Sequence, residues 1–245
     1  MTWLSTKQGQ FTYFSEQVGE RDWRGKQVLD FGGNIGNMLR DPNSTIDPER
    51  YWCLDIDRES LDAGKAAWPS AHWVHYDRHC FFFNPTGVPH LPLPDLGQQF
   101  DYIVAYSVFP NTSRTDMLEL VPQLEAMLAP GGALAFTFID ANHVPWPGEF
   151  DGDNFAWRLH REGNDLSTPE SRQMMEQARR AEWCTLVNGR ALYVESDDIG
   201  DVPPDEQRTS HAFHTTAHMQ RLFPHAVIQP PANNEMQHCC VIRKS

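Results

Sequence analysis

Val28-Leu29-Asp30-Phe31-Gly32-Gly33-Asn34-Ile35-Gly36-Asn37 decides how this chain is read. Lys26–Phe31 is a short apolar run that suits a buried strand, and it ends in small residues. Glycines there let the backbone approach a ligand that a side chain would hold off, and a following helix would turn its first amides toward polar or anionic groups. Such a turn alone is a weak nucleotide-site signal. Its weight grows with the next strand, Arg50–Asp55, which ends in Leu54-Asp55-Ile56-Asp57. Asp55 stands nineteen residues after Gly36, a spacing at which a carboxylate accepts hydrogen bonds from ribose hydroxyls. A third strand, His72–Asp77, also ends on a carboxylate. Asp30, Asp55 and Asp77 thus fall at or near the carboxyl ends of three consecutive strands, where open α/β sheets bind ligands.

Outward from this stretch the apolar pattern keeps alternating. A helix is expected near Gln8–Val18, another over Arg58–Trp68 that Pro69 terminates, a strand over Asp101–Ser107, a helix over Thr115–Leu128 and a strand over Ala133–Asp140. Strands separated by helices pair in parallel, because a parallel crossover needs a long connection. Two segments interrupt the rhythm. Arg78–Phe100, with Phe81, Phe82, Phe83 and prolines at 85, 89, 92 and 94, reads as an extended loop-rich path. Residues 141–210 read as an inserted cap holding a helix (Thr168–Trp183) and a hairpin around Asn188-Gly189, a pair suited to a two-residue type I′ turn. The pattern then resumes with a helix Thr215–Phe223, capped by Thr215 or Thr216, and strands Ala226–Gln229 and Gln237–Arg243.

Composition narrows the function classes. Twenty Lys and Arg against 33 Asp and Glu leave a net charge of −13, which argues against duplex DNA or RNA as a partner, since phosphate backbones are bound by cationic faces. No run approaches a membrane span, and the first residues lack the build of a signal peptide, so a soluble, cytoplasmic protein is expected. The cysteines at 53, 80, 184, 239 and 240 are odd in number and show no CxxC, which speaks against a disulfide framework. In a strand, adjacent Cys239 and Cys240 would point to opposite faces, and the contiguous His238-Cys239-Cys240 does not have the spacing of a zinc site. No metal is expected.

The chain resembles the class I S-adenosylmethionine-dependent methyltransferases. VLDFGGNIGN is similar to their first motif, a strand followed by D-x-G-x-G-x-G, and CLDIDRESLDAGK to their second strand and its helix. Phe100–Val104 looks like their fourth strand, and Leu128-Ala129-Pro130-Gly131-Gly132 like the turn before the fifth. The resemblance implies one Rossmann-like domain over 1–245: a seven-stranded, mostly parallel sheet flanked by helices, with the 141–210 cap inserted after strand five. It implies a cofactor site built from Asp30, Gly32, Gly33, Asn34, Gly36, Asp55, Ile56, Asp77, Arg78 and Tyr106, with S-adenosylmethionine as donor and S-adenosylhomocysteine as product. Asn34 stands where the family has its middle glycine; asparagine tolerates a left-handed backbone, and its amide is available to the cofactor. The loop has neither a Walker lysine nor the G-x-G-x-x-G spacing of dinucleotide sites.

Methyl transfer needs alignment and exclusion of water more than covalent help, so acceptor residues form no recognisable triad. In similar methyltransferases they come from the first helix and the segments after strands four and five, here Tyr13, Tyr106–Asn111 and Asp140–Trp146. Where the acceptor must lose a proton, imidazole suits the task near neutral pH. His143 and Tyr13 are therefore the candidate catalytic residues. The expected reaction is methylation of an oxygen or nitrogen of a small-molecule acceptor in specialised metabolism. A non-catalytic cofactor-binding partner and a non-methylating enzyme that uses S-adenosylmethionine are the alternatives.

Overall fold

The computed structural model describes residues 9–80, 83–143, 169, 180, 182–187, 191–194, 209–231 and 237–245. Strands β1 (Val28–Phe31), β2 (Tyr51–Asp55), β3 (His72–His75), β4 (Phe100–Ala105), β5 (Leu128–Ile139), β9 (Val227–Gln229) and β10 (Gln237–Arg243) are seven of the ten described strands of one sheet and run in the order β3-β2-β1-β4-β5-β10-β9. The first five pair in parallel; β10 runs antiparallel to both β5 and β9. Around it lie helices α1 (Gln10–Val18), α2 (Asn37–Arg40), α3 (Arg58–Ala67), α4 (Arg114–Ala126) and α5 (Thr216–Leu222). The expected Rossmann-like sheet is present.

Alternation along each strand fills two separate cores. Leu29, Leu54, Ile103, Leu134, Phe136, Cys240 and Ile242 point to the face covered by Met117, Leu120, Val121 and Leu124 of α4 and Met219 of α5. Val28, Tyr51, Cys53, Val104, Ala133, Ala135, Cys239 and Val241 point to the face covered by Phe11 and Phe14 of α1 and Leu61 of α3. Adjacent Cys239 and Cys240 therefore enter opposite cores, and both are free.

Local chemistry sets the helix ends. Gly19 adopts a left-handed conformation (φ 73°) after α1, and the amides of Gly19 and Glu20 return to the carbonyls of Glu16 and Ser15 in a Schellman closure. Ser113 caps α4, with Asp116 completing a capping box, and Thr215 caps α5 by accepting the His218 N–H. Asp41, reached at the end of α2, accepts both the N–H (2.6 Å) and the hydroxyl (2.9 Å) of Thr12, which ties the first turn of α1 to that end of the sheet.

Three elements depart from the sequence expectation. The helix after the glycine turn is a single turn, because Asp41 leaves helical geometry and Pro42 cannot continue it. Strand β5 begins at Leu128, and Ala129–Gly132 bulges out opposite Asp101, with Gly131 at φ 78°; the proline-glycine element is a bulge within a strand. Trp183, expected at a helix end, opens β6 (Trp183–Val187), while the body of that helix lies outside the described residues.

β6 pairs antiparallel with β7 (Ala191–Val194), as the expected hairpin requires. The register Val187↔Ala191 leaves residues 188–190 between the strands, one more than a two-residue turn would. β6 also pairs with β8 (Thr209–His214), and β8 joins β5 in parallel at Phe213↔Ile139. Ile139 meets Gln237 of β10 on its other edge, so β8 occupies the edge of β5 that β4 vacates after Ala105↔Phe136. The β8-β6-β7 extension therefore starts beyond the carboxyl end of β4.

Candidate functional site

The glycine loop lies between the ends of β1 and β2. Gly32 (φ 76°) donates its N–H to the Leu54 carbonyl, and Gly36 has φ 82°. Each glycine is packed so closely that a Cβ would collide: with Val108 Cγ2 at 2.4 Å for Gly32, with the Asp30 carboxyl at 2.6 Å for Gly33, and with the Trp73 ring at 2.8 Å for Gly36. Asn34 has φ 54°, the left-handed conformation expected of a residue in a glycine's place. Its side-chain amide, however, donates to Ser60 Oγ at 3.0 Å, and Ser60 in turn donates to Asp57, the cap of α3. Asn34 thus joins the loop to α3 through its side chain instead of offering the amide to a cofactor.

Asp55, buried at the end of β2, accepts the N–H of Asn34 through Oδ2 (2.7 Å) and that of Asp57 through Oδ1 (2.8 Å). Burial raises its pKa, opposed by these backbone amides. Each oxygen keeps a lone pair for a ribose hydroxyl. Ile56 follows it, half-buried, with its carbonyl 3.1 Å from His75 Nε2. Asp30 lies deeper: it accepts the Tyr51 hydroxyl at 2.6 Å, and burial pushes its pKa up to about 7 despite that hydrogen bond. Asp77 is exposed and accepts the side-chain amide of Asn84. Asn37, directly after the loop, has a buried Oδ1 with no hydrogen-bond partner among the described residues. A carboxylate, an unspent acceptor and a backbone without side chains fit the polar ends of S-adenosylmethionine.

Arg78 is turned elsewhere. Its guanidinium bonds Asp116 and Glu119 of α4 and the Leu91 carbonyl, so it fastens the loop after Asp77 to α4. Burial alone would lower its pKa, but Glu119 and Asp116 more than offset this and raise it. Its side chain is a structural cation, a role not legible along the chain because its partner Asp116 in α4 lies 38 residues downstream.

Of the residues expected to face the acceptor, Tyr106 directly follows β4 and packs edge-to-face on Tyr13 (5.6 Å between centroids) and Phe14 (6.1 Å). Tyr13 is buried, with its hydroxyl against the Cys239 thiol. Ser107 is held at φ 58° by three partners: its N–H donates to Thr137 Oγ1 (2.7 Å), its carbonyl accepts from Asn111 Nδ2 (2.6 Å) and its hydroxyl accepts from Gln237 Nε2 (3.3 Å). A left-handed non-glycine residue is strained, and such strain persists only where neighbours enforce it. His143 ends the 3-10 turn Ala141–His143 after β5; its side chain is 52% exposed and its Nδ1 lies 3.7 Å from Asp140 Oδ2. Its ring stands edge-on to that of His238 at 4.6 Å. Burial, reinforced by His143, lowers the His238 pKa to about 4. Residues 144–146 and the aromatic Phe150, Phe155 and Trp157 lie outside the described residues. Trp73 escaped the sequence reading, and so did the contacts of Val108 with Gly32 and of His238 with His143, since each reaches its partner through sheet pairing or a loop crossing.

Residues 29–134 match the family described as a methyltransferase domain. No curated protein matches the sequence significantly. Among solved structures, an S-adenosylmethionine-dependent methyltransferase from Clostridium acetobutylicum superposes with a TM-score of 0.52 at 10% identity, covering 96% of this chain and 90% of its own. A protein solved in connection with the conversion of a disulfide bond into a thioacetal group during echinomycin biosynthesis gives 0.51 at 13% identity, covering 97% and 82%. DesVI of Streptomyces venezuelae gives 0.50 at 13%, covering 96% and 90%. At these identities the likeness is one of fold, and the family match supplies the chemistry. With the glycine turn, the Asp55 carboxylate and the sheet order in place, residues 29–134 of this chain carry a methyltransferase domain.

Proposed function

We propose that this enzyme methylates an oxygen or nitrogen nucleophile of a small-molecule acceptor, in specialised metabolism and in the cytoplasm. The observation that carries the reading is the Asp55–Asn34 clasp, which closes the glycine loop over the ends of β1 and β2 inside the matched segment. In this proposal Asp55 receives the ribose; Asp30, Gly32, Gly33, Asn34 and Gly36 shape the floor; Ile56 and Asp77 flank the base; and Arg78 fixes the loop behind Asp77. A small acceptor is favoured over nucleic acid by the net charge of −13.

Bound there, S-adenosylmethionine supplies a methyl group already activated on a sulfonium. The chain's task is alignment and exclusion of water. The Ser107 turn, pinned by Thr137, Asn111 and Gln237, gives a rigid edge after β4. Tyr106, backed by Tyr13, forms the wall on the α1 side, and the β8-β6-β7 extension, beginning past the end of β4, forms the cap. His143 addresses the acceptor from the end of β5, orienting it or receiving its proton. Acceptor-dependent formation of S-adenosylhomocysteine across a panel of hydroxyl and amine compounds is the test. Cofactor binding without turnover on any acceptor would leave a binding protein and overturn the proposal.

A further inference from the structure

Asp140, His143 and His238 each bring one potential ligand atom to a common space, and these atoms all lie within 4.8 Å of one another. The sheet makes the meeting: in the antiparallel β5–β10 pair, His238 sits opposite Phe138, beside the strand end that carries Asp140. The turn back at Ala141–His143, closed by the His143 N–H on the Asp140 carbonyl (2.9 Å), returns the second imidazole to the same spot.

We propose that these three side chains bind a divalent transition-metal ion through two imidazole nitrogens and one carboxylate oxygen. Two features distinguish the group from an incidental cluster. His238 is buried and stacked on Phe138 (5.1 Å), yet its Nδ1 has no hydrogen-bond partner among the described residues. A buried ring nitrogen left unspent calls for a ligand. Asp140 is fixed in place: Oδ1 accepts the N–H and side-chain amide of Asn142 (2.9 and 3.0 Å), and Oδ2 accepts the N–H and hydroxyl of Thr216 (3.0 and 3.2 Å), so an ion takes the lone pair that the rotatable Thr216 hydroxyl gives up.

The ring geometry agrees. A metal–nitrogen bond of ~2.0–2.1 Å puts a ring centre about 3.2 Å from the ion, so two imidazoles at about 90–109° lie roughly 4.5–5.2 Å apart. The His143 and His238 centroids are 4.6 Å apart. Closing the ligand atoms onto an ion needs a shift of roughly an ångström, and His143, half-exposed on its turn, is the residue able to supply it. Two histidines and one carboxylate leave coordination positions open, as catalytic sites do. An open position takes water or an acceptor oxygen and favours its deprotonated form, which would make His143 a ligand and the ion the activating group. That last role rests on the methyl-transfer reading; binding of the ion does not.

The test uses full-length, tag-free protein stripped with chelator, titrated with Co(II) by visible absorption and with Zn(II) by calorimetry, without acceptor. One ion per chain is expected, with Kd raised at least ~100-fold in both His143→Ala and His238→Phe, more than the loss typical of an outer-sphere partner. S-adenosylhomocysteine affinity should stay unchanged. His238→Phe keeps the stack on Phe138; if it fails to fold, the exposed His143→Ala decides. Absence of wild-type binding at millimolar Zn(II), or unaltered affinity in His143→Ala, overturns the site. Stoichiometric binding without any acceptor turnover supports the site and counts against methyl transfer; turnover without ion binding overturns the site alone.

Discussion

The Oδ2 atom of Asp55 accepts the backbone N–H of Asn34 at 2.7 Å, so the carboxylate at the end of β2 holds the residue that replaces the loop's middle glycine. Its other oxygen holds Asp57, the cap of α3. One side chain thereby sets the glycine loop, the start of α3 and the expected ribose contact. Asp55→Ala should weaken S-adenosylhomocysteine binding by ~1.5–3 kcal/mol in calorimetry, the range for a hydrogen bond to a charged group. Asp55→Asn, which keeps an acceptor for the Asn34 N–H, should lose less. A folded Ala variant with wild-type affinity would remove Asp55 from the cofactor site.

Asn34 itself is tested by its backbone. At φ 54°, Asn34→Gly should change stability by less than about 1 kcal/mol, relief of strain offsetting the lost Ser60 bond. Asn34→Val should destabilise by at least ~1–2 kcal/mol, the left-handed penalty, in urea denaturation. Equal stability of the two variants would show that the loop does not need this conformation.

Gly32 is pressed by Val108, so the two should be coupled. Gly32→Ala should lower stability by about 1–3 kcal/mol through overpacking, with backbone strain added. Val108→Ala in the same chain should recover the steric part only. A double-mutant cycle on melting data reads this coupling, and strict additivity would place Val108 away from the loop in solution.

His214 is buried beside His218 (5.7 Å between rings), and neither of its nitrogens has a hydrogen-bond partner among the described residues. Burial, with His218 and Arg114 adding repulsion, lowers its pKa from 6.5 to about 3. The unfolded chain therefore binds the proton first as pH falls, and stability is lost from about pH 6.5 downward toward 3. Moving from pH 7.5 to pH 5 should destabilise the wild type more than His214→Leu. Identical losses would mean that His214 is not buried as a neutral ring.

Tyr13 lies in the core with its hydroxyl on a thiol, while its ring carries Tyr106. Tyr13→Phe should keep turnover within ~10-fold, and Tyr13→Ala should fall well below it, with cofactor affinity retained. A loss of ~10²–10⁴-fold in Tyr13→Phe would instead give the hydroxyl a proton-transfer role.

What the sequence made legible was local. Strands β1 and β2 announce themselves by apolar runs ending at glycine or aspartate, β4 by its apolar run alone, and Asn34 shows its left-handed backbone by residue type alone. Other features depend on partners far along the chain. Thr209–His214 has few apolar residues to mark it, and it becomes a strand because β6 and Ile139 pair with it. Arg78 follows a strand end as a cofactor residue would, and only the position of α4 shows where its charge goes. His238 looked grouped with the cysteines beside it; strand alternation separates it from Cys239, and the β10 register delivers it to Asp140.

The hydrogen bond from the Thr216 N–H to Asp140 Oδ2, 3.0 Å long, closes the base of a chain excursion between β5 and α5 that carries β6, β7 and β8. Because both ends are fixed side by side, the entropic charge for lengthening that excursion is logarithmic, about 0.6 kcal/mol for each doubling. Loops within this excursion can therefore lengthen with little effect on the stability of the sheet. On the proposed reading of the extension as an acceptor cap, acceptor recognition can drift in such a lineage while the donor site stays as it is.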